Sequence, residues 1–268
     1  MLRGLSSTRR RPVRRIAMLV AGRTIRGLPG PGNGARRSPE PTVTTSIGAA
    51  ALLASGRYAI FHAGFESGEE RWSIEAAAEG GAIARGEQVL VAPHPLASEL
   101  SWRARLSPDG RIAALEMEWR VGTRTVRAEH EAFASRWHAR ILSAGHTREQ
   151  AGDFPGHAEV AFGSHVLQTV MLRRYALSPG AEHEFPSLVI GPPFFAVEPG
   201  RQRIACTAEE LRATPLGERR ARRIEFSDAL GPVPAFAAWI DEHDVLLESY
   251  EDTYTEEPWM RLVEYRRG

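Results

Sequence analysis

The feature that most restricts how this chain can fold is an alternation of apolar and polar residues that recurs from residue 57 to the C-terminus. In Glu99–Leu106 every second position is apolar, at Leu100, Trp102, Ala104 and Leu106. Successive side chains of a β-strand point to opposite faces of a sheet, so this spacing is typical of a strand with one buried face. Segments of this kind are 57–64, 70–77, 87–93, 99–106, 112–119, 125–133, 136–142, 220–228, 234–240, 245–254 and 259–267.

Turn signals separate these segments. The stretch Ser107–Arg111 combines Pro108, which fixes φ, with Gly110, which permits a positive φ. Because strand twist accumulates and open edges invite aggregation, a large antiparallel sheet curls or closes. The sequence therefore predicts a mainly β fold, a large curled antiparallel sheet of about ten strands that forms an incomplete barrel, with one or two short helices over the opening.

Two segments carry helical signals. Ser164–Leu172 is largely apolar and begins with a serine that can cap a helix. Thr207–Thr214 begins with a threonine that is followed three residues later by Glu210, which is the spacing of a capping box. We expect these segments to supply the helices over the opening of the sheet.

The first 52 residues differ in composition from the rest of the chain. A basic stretch, Arg9–Arg15, precedes the short apolar stretch Ile16–Gly22, and a segment rich in Gly, Pro, Ser and Arg follows. This composition buries too little apolar surface to offset the entropy of ordering the chain. We expect residues 1–52 to be a disordered basic tail, or an extension that is not part of the native product, and residues 53–268 to form a single half-barrel domain. Arginines soon interrupt the apolar stretch, which favours the cytoplasm over export.

Several classes of function find no support in the sequence. The net charge of +1 creates no global field that would recruit nucleic acid. Cys206 is the single cysteine of the sequence, so neither an intrachain disulfide nor a thiolate metal cluster can form. No apolar run approaches the ~20 residues of a membrane helix, and the sequence contains no Gly-rich phosphate loop, GxSxG or HExxH motif. We predict no cofactor, no metal, no nucleic-acid partner and no transmembrane segment.

The segment from Gly152 to Gly180 carries the strongest indication of function, because a largely apolar run ends in Arg173 and Arg174. A guanidinium beside an apolar cavity is costly unless it meets water or an anion, and its fork matches phosphate or carboxylate. We therefore predict non-catalytic binding of an amphipathic small molecule, such as a lipid or glycolipid, with the two arginines at its head group. Further candidates for the cavity lining or for the core are Met171, Trp72, Trp102, Trp119 and Trp239.

Other interpretations of the same residues stay open. A barrel enzyme could use Asp153, His157 and Tyr175 as acid, base and proton donor on a polyene or polyketide-like substrate. A structural or interaction module could act through an exposed sheet edge. A helix packed on a sheet, with two arginines at the surface, would explain the segment without any ligand.

Four stretches of the chain resemble known protein families. Asp153–Gly180, Pro186–Ile204 and Ala237–Glu251 are similar to segments of the bacterial glycolipid-binding proteins, whose architecture is like that of the lipoprotein-localisation factors LolA and LolB. Gly56–Ile74 resembles the start of related half-barrel proteins. The resemblance implies an incomplete antiparallel barrel around an apolar cavity, with helices over the opening. Asparagine in the family pattern is replaced here by Gln168 or Thr169, and no lipobox cysteine follows the N-terminal apolar stretch.

Overall fold

In the computed structural model of this protein, the described residues are 51–268 apart from 134, 157, 193, 229–235 and 251–256. The tail that the sequence predicts over residues 1–52 therefore lies almost wholly outside the described residues. All the described residues belong to one compact unit.

The described residues form fifteen β-strands and one α-helix. The first eight strands are β1 (Leu52–His62), β2 (Phe65–Ala76), β3 (Ala82–Leu90), β4 (Ser98–Leu106), β5 (Ile112–Val121), β6 (Arg124–Phe133), β7 (Arg136–Ser143) and β8 (His146–Asp153). The remaining elements are β9 (Glu159–Phe162), α1 (His165–Leu172), β10 (Glu182–Ile190), β11 (Val197–Thr214), β12 (Gly217–Asp228), β13 (Phe236–Asp241), β14 (Leu246–Tyr250) and β15 (Met260–Arg267).

All fifteen strands belong to one sheet, in the order β8-β7-β6-β5-β4-β3-β2-β1-β15-β14-β13-β12-β11-β10-β9. Neighbouring strands are antiparallel except β9 and β10, which are parallel. The two edge strands, β8 and β9, are consecutive in the chain. A flat sheet of this size would be about 67 Å wide at about 4.8 Å per strand, whereas the connection from Asp153 to Glu159 spans at most about 20 Å. The sheet therefore curls until its edges approach each other, which confirms the predicted mainly β, curled and unclosed architecture.

Two tight hairpins show how the sequence sets the strand register. Ala63 and Gly64 connect β1 to β2 with φ values of 51° and 79°, and Ala144 and Gly145 connect β7 to β8 with 50° and 79°. Two consecutive positive φ values define the type I′ turn, whose twist matches that of the flanking strands. Each hairpin thereby fixes which residues of the two strands face inward.

The interior of the curled sheet is filled rather than hollow. Seven of the eight residues of α1 are buried, so the helix lies inside the sheet against β9 and β14. The deepest inner-face side chains include Tyr58, Ile60, Leu115, Ile204, Ile224 and Leu262. Two of the spaces between inner elements measure only about 10 and 30 Å³. The open oily hollow expected from the sequence is thus replaced, in the described residues, by a packed core.

Three tryptophans of the inner face lie over glycines of neighbouring strands. A Cβ on Gly56 would lie 2.7 Å from the ring of Trp72, and a Cβ on Gly86 would collide with the ring of Trp102. Trp137 covers Gly152 in the same way. Glycine is needed at these positions because the indole occupies the space that any side chain would take.

The prediction of a second helix is wrong. Thr207–Thr214 is the end of the long strand β11, which pairs residue by residue with β12 from Ala208 opposite Arg223 to Thr214 opposite Gly217. A capping box stabilises only the free start of a helix, whereas these residues gain a full backbone ladder from a hairpin partner. The helix expected at Ser164–Leu172 is confirmed as α1, with Ser164 at the N-cap position, but the Ser164 hydroxyl donates to Glu70 and does not cap the helix.

Candidate binding site at the seam of the sheet

The two arms of the curled sheet meet along a line that we call the seam, where the inner faces of β5–β7 contact those of β9–β11. The seam is lined by the apolar side chains of Ile112, Leu115, Val160, Leu188, Ile190 and Val197. No strand pairing of the described residues links β8 to β9 across it. Polar contacts also bridge the arms: the backbone N–H of Val197 donates to Oε1 of Gln150 at 3.3 Å, and Arg111, in the turn before β5, binds Glu159 of β9 at 3.2 Å. The arms are therefore held together by apolar packing and side-chain contacts rather than by a strand ladder.

His130 is the unusual residue of the seam. It lies on the inner face of β6 and is 6% exposed, and neither of its ring nitrogens has a hydrogen-bond partner among the described residues. Burial lowers the pKa of His130 to about 4, so its ring is neutral at physiological pH. A buried polar group without a partner costs about 1–3 kcal/mol. A residue with this penalty calls for an explanation other than packing.

Trp137 lies next to His130 on the same face. In the pairing of β6 with β7, His130 is opposite Ala139 and Ala132 is opposite Trp137, so the two aromatic side chains are diagonal neighbours. The indole Nε1–H of Trp137 also has no acceptor within the described part of the chain. The seam therefore combines an apolar crevice with three unpaired ring nitrogens, which is the pattern of a small-molecule site with few polar anchors.

A charged cluster borders the seam. Glu159, which precedes Val160, is 3% exposed and binds Arg174, Arg111 (3.2 Å) and the hydroxyl of Tyr175 (3.0 Å). Burial, and next to it the carboxylate of Glu159, raise the pKa of Tyr175 above its usual range. The cluster joins the end of α1 to β9 and to the turn before β5.

The two arginines predicted at a head group have different surroundings. Arg174 is occupied, because it binds Glu159 and also donates to the carbonyl oxygen of Gly110 at 2.5 Å. Arg173 is the C-cap residue of α1 and is exposed. The structure therefore does not present both as a pair to one ligand.

The other predicted lining residues are dispersed over the sheet. Trp72 and Trp102 belong to the inner core, and Met171 is buried in α1. Trp119 is partly buried and meets the ring of Phe195 edge-on, with 6.3 Å between centroids. Trp239 lies with its ring 4.2 Å from the guanidinium carbon of Arg212. The inner-face tryptophan that borders the seam is Trp137.

The residues suggested for acid–base catalysis are not gathered at one point by the contacts they make. Asp153 ends β8, is 85% exposed and pairs with Arg136 at 3.5 Å. Tyr175 donates to Glu159 instead. His157 lies outside the described residues.

A second buried polar network lies at the start of α1. Glu70 is fully buried and accepts hydrogen bonds from Ser164 Oγ (2.6 Å), from Trp102 Nε1 (3.2 Å) and from the backbone N–H of His165. Burial raises the pKa of Glu70 to about 7, partly offset by these donors. His165 Nε2 lies 2.6 Å from Ser249 Oγ, and burial lowers the pKa of His165 to about 3. The network anchors the helix inside the sheet.

A groove of about 670 Å³ lies on the outer face of β2–β6. Its long side chains are already paired across strands, for example Arg127 with Glu118 at 2.5 Å and Arg103 with Glu116 at 3.5 Å. Such exposed ion pairs form a solvated surface rather than a site with unmet bonding capacity.

Within the described ranges, no three His, Cys, Asp or Glu side chains are grouped so as to hold a metal ion. Among the same residues, no helix is both long and apolar enough to span a bilayer.

The sequence alone did not point to His130, Trp137, Glu70 or Glu159 as site residues. A signal for His130 was present, since the alternation places it on the apolar side of its strand with Val126 and Ala128. Its lack of a partner depends on strands that are distant in the sequence, and no local pattern reports that.

No protein-family model matches the sequence, and no curated protein matches it. Among solved structures, a DUF1089 family protein from Pseudomonas aeruginosa is similar with 17% identity, over 68% of this chain and 89% of that chain, at a TM-score of 0.44. A β-barrel-like protein of the domain of unknown function DUF1849 from Brucella abortus is similar with 10% identity, over 82% of this chain and all of that chain, at a TM-score of 0.51. The likeness to the Brucella protein supports a β-barrel-like fold for this chain.

Proposed function

We propose that this protein is a non-catalytic binding protein for an amphipathic small molecule, such as a lipid or glycolipid, and that the molecule enters at the seam. The observation that carries the proposal is His130, a buried and neutral ring with both nitrogens unpaired beside an apolar crevice. The resemblance of Asp153–Gly180 to the glycolipid-binding family supports the same class of ligand.

Binding requires the seam to open, because the closed crevice has room for only about 10 Å³. Opening separates apolar side chains and breaks the contacts of Gln150 with Val197 and of Arg111 with Glu159, but it breaks no strand ladder of the described residues. Regions held by few backbone hydrogen bonds open at low cost. A ten-carbon chain buried from water would gain roughly 8 kcal/mol gross, before ordering costs. The apolar body therefore supplies the driving force for entry.

The polar end of the ligand has two candidate contacts. His130 and Trp137 lie inside the crevice, whereas Arg173 is exposed at the end of α1 and can meet an anionic group at the surface. Arg174 is excluded from this role, since releasing it would leave the buried Glu159 with one fewer cation. In this proposal Trp72 and Trp102 serve the core.

Native mass spectrometry tests the proposal. The purified protein is measured before and after organic extraction, and the extracted protein is then offered ten-carbon amphiphiles with alcohol, carboxylate and glucoside heads. We expect one bound molecule per chain, lost in His130→Phe and retained in the control His146→Phe, which changes an exposed histidine of β8. An extracted protein that binds none of these probes, or a His130→Phe variant that binds them normally, would overturn it.

A further inference from the structure

We infer that the group held at His130 and Trp137 is an uncharged hydroxyl rather than a carboxylate or a phosphate. This inference rests on the proposed function, because it names the polar group of the same ligand at the same seam.

The hydrogen-bonding groups of the two anchors favour a hydroxyl. A neutral imidazole offers one N–H donor and one bare nitrogen acceptor, and an indole offers one donor. A hydroxyl group can pair with either anchor, since its oxygen accepts from an N–H and its hydrogen can go to the bare nitrogen of His130. An ether could use the donors but not the acceptor. An alkane would leave all three nitrogens unpaired, as they are in the closed protein.

The charges around the crevice also favour a hydroxyl. The seam crevice of the described residues is lined by apolar side chains and by the rings of His130 and Trp137, but by no arginine. An ionised carboxylate or phosphate entering it would lose its hydration without meeting a cation, which costs several kcal/mol. The arginines of the bordering cluster, Arg174 and Arg111, already bind Glu159. Binding of an anion in the crevice is therefore unfavourable.

The apolar residues of the crevice also lie where the body of such a ligand would pack. Ile112 and Leu115 on one arm, and Leu188 and Ile190 on the other, line the same crevice as the two anchors. A chain that enters between the arms can thus keep its apolar part against these residues while its hydroxyl reaches the anchors. Sites that hydrogen-bond a substrate hydroxyl reject analogues that lack it, because the buried partners are then left unpaired.

Isothermal titration with a matched series tests the inference at pH 8, where alkanoates are ionised and His130 is neutral. The probes are 1-decanol, decyl methyl ether, decanoate and decyl phosphate. We expect 1-decanol to bind about tenfold to a hundredfold more tightly than the other three. The preference should disappear in His130→Phe and weaken in Trp137→Phe, which keeps the aromatic ring but removes the donor.

The outcomes distinguish failure of the hydroxyl inference from failure of the proposed binding function. Equal or tighter binding of decanoate, abolished by Arg173→Ala, would overturn the hydroxyl inference and leave the amphiphile-binding function standing. Binding of none of the four probes would overturn both. A preference for 1-decanol that survives unchanged in both His130→Phe and Trp137→Phe would also overturn the inference, because the hydroxyl would then be held elsewhere.

Discussion

Arg174 binds the buried carboxylate of Glu159, while Arg173, the residue before it, is exposed. Adjacent residues at the end of a helix point about 100° apart, so a double arginine at this place divides into one inward and one outward side chain. The inward one closes the end of α1 onto β9, and the outward one meets solvent.

This division predicts unequal effects on stability. Arg174→Ala leaves Glu159 with a weaker set of partners in a nearly buried place, so we expect a loss of about 3 kcal/mol in the free energy of unfolding. Arg173→Ala should change that free energy by less than about 0.5 kcal/mol. Urea denaturation of both variants provides the measurement. Similar losses in the two would show that the Glu159 cluster does not anchor the helix.

Three buried groups predict how stability depends on pH. His130 and His165 have pKa values lowered from 6.5 to about 4 and about 3, so the unfolded chain binds two protons that the folded chain does not as pH falls below 6.5. Glu70 has a pKa raised from 4.5 to about 7. Between pH 4.5 and 7 its carboxyl group therefore keeps a proton in the folded chain that it has lost in the unfolded chain. The unfolded state therefore binds one more proton, and stability rises from pH 4.5 to 6.5 by up to about 1.4 kcal/mol per unit.

Glu70→Gln isolates the opposing contribution of the carboxyl group. A raised pKa in an acid means stability that is present below pH 4.5 and is lost as pH rises to about 7. Without that group, the stability of the variant should rise about twice as steeply between pH 4.5 and 6.5 as that of the parent protein. Thermal unfolding measured across this range compares the two slopes. Parallel curves would contradict a buried Glu70 that keeps its proton.

The indole–glycine pairs predict a sharp steric effect. A Cβ on Gly86 would collide with the ring of Trp102 inside the core, so we expect Gly86→Ala to destabilise the protein by about 1–3 kcal/mol. Gly163→Ala is the matched control, because nothing lies within 4 Å of the Cβ it would add. Chemical denaturation of both variants gives the comparison. A Gly86→Ala variant as stable as the control would mean that the ring moves away without cost.

Much of the fold follows from local pattern. The period-two runs of β4 and β6 predict strands with the correct inner faces, because one face of each packs on the core. The strand β8 could not be predicted from this pattern, since His146–Asp153 is an exposed edge with no apolar alternation. Thr207–Thr214 was wrongly predicted as a helix, because a local capping signal is weaker than pairing with β12.

The candidate site could not be predicted from local sequence pattern to the same extent. A cationic rim follows naturally from two adjacent arginines, but the partner of Arg174 is a glutamate on another strand that no spacing rule connects to it. The unpaired state of His130 depends on β9–β11 closing over β6, and that contact joins residues far apart in the chain. Tertiary pairing, rather than residue type, decides both outcomes.

The most direct test of the seam site measures stability and ligand binding together in His130→Phe. Phenylalanine fills a similar volume and removes the unpaired nitrogens, so we expect the variant to be at least as stable as the parent protein while losing 1-decanol binding. If His130 instead stabilises the fold, His130→Phe should be less stable than the parent protein. A variant that is less stable and binds 1-decanol as the parent does would contradict a binding role for the seam.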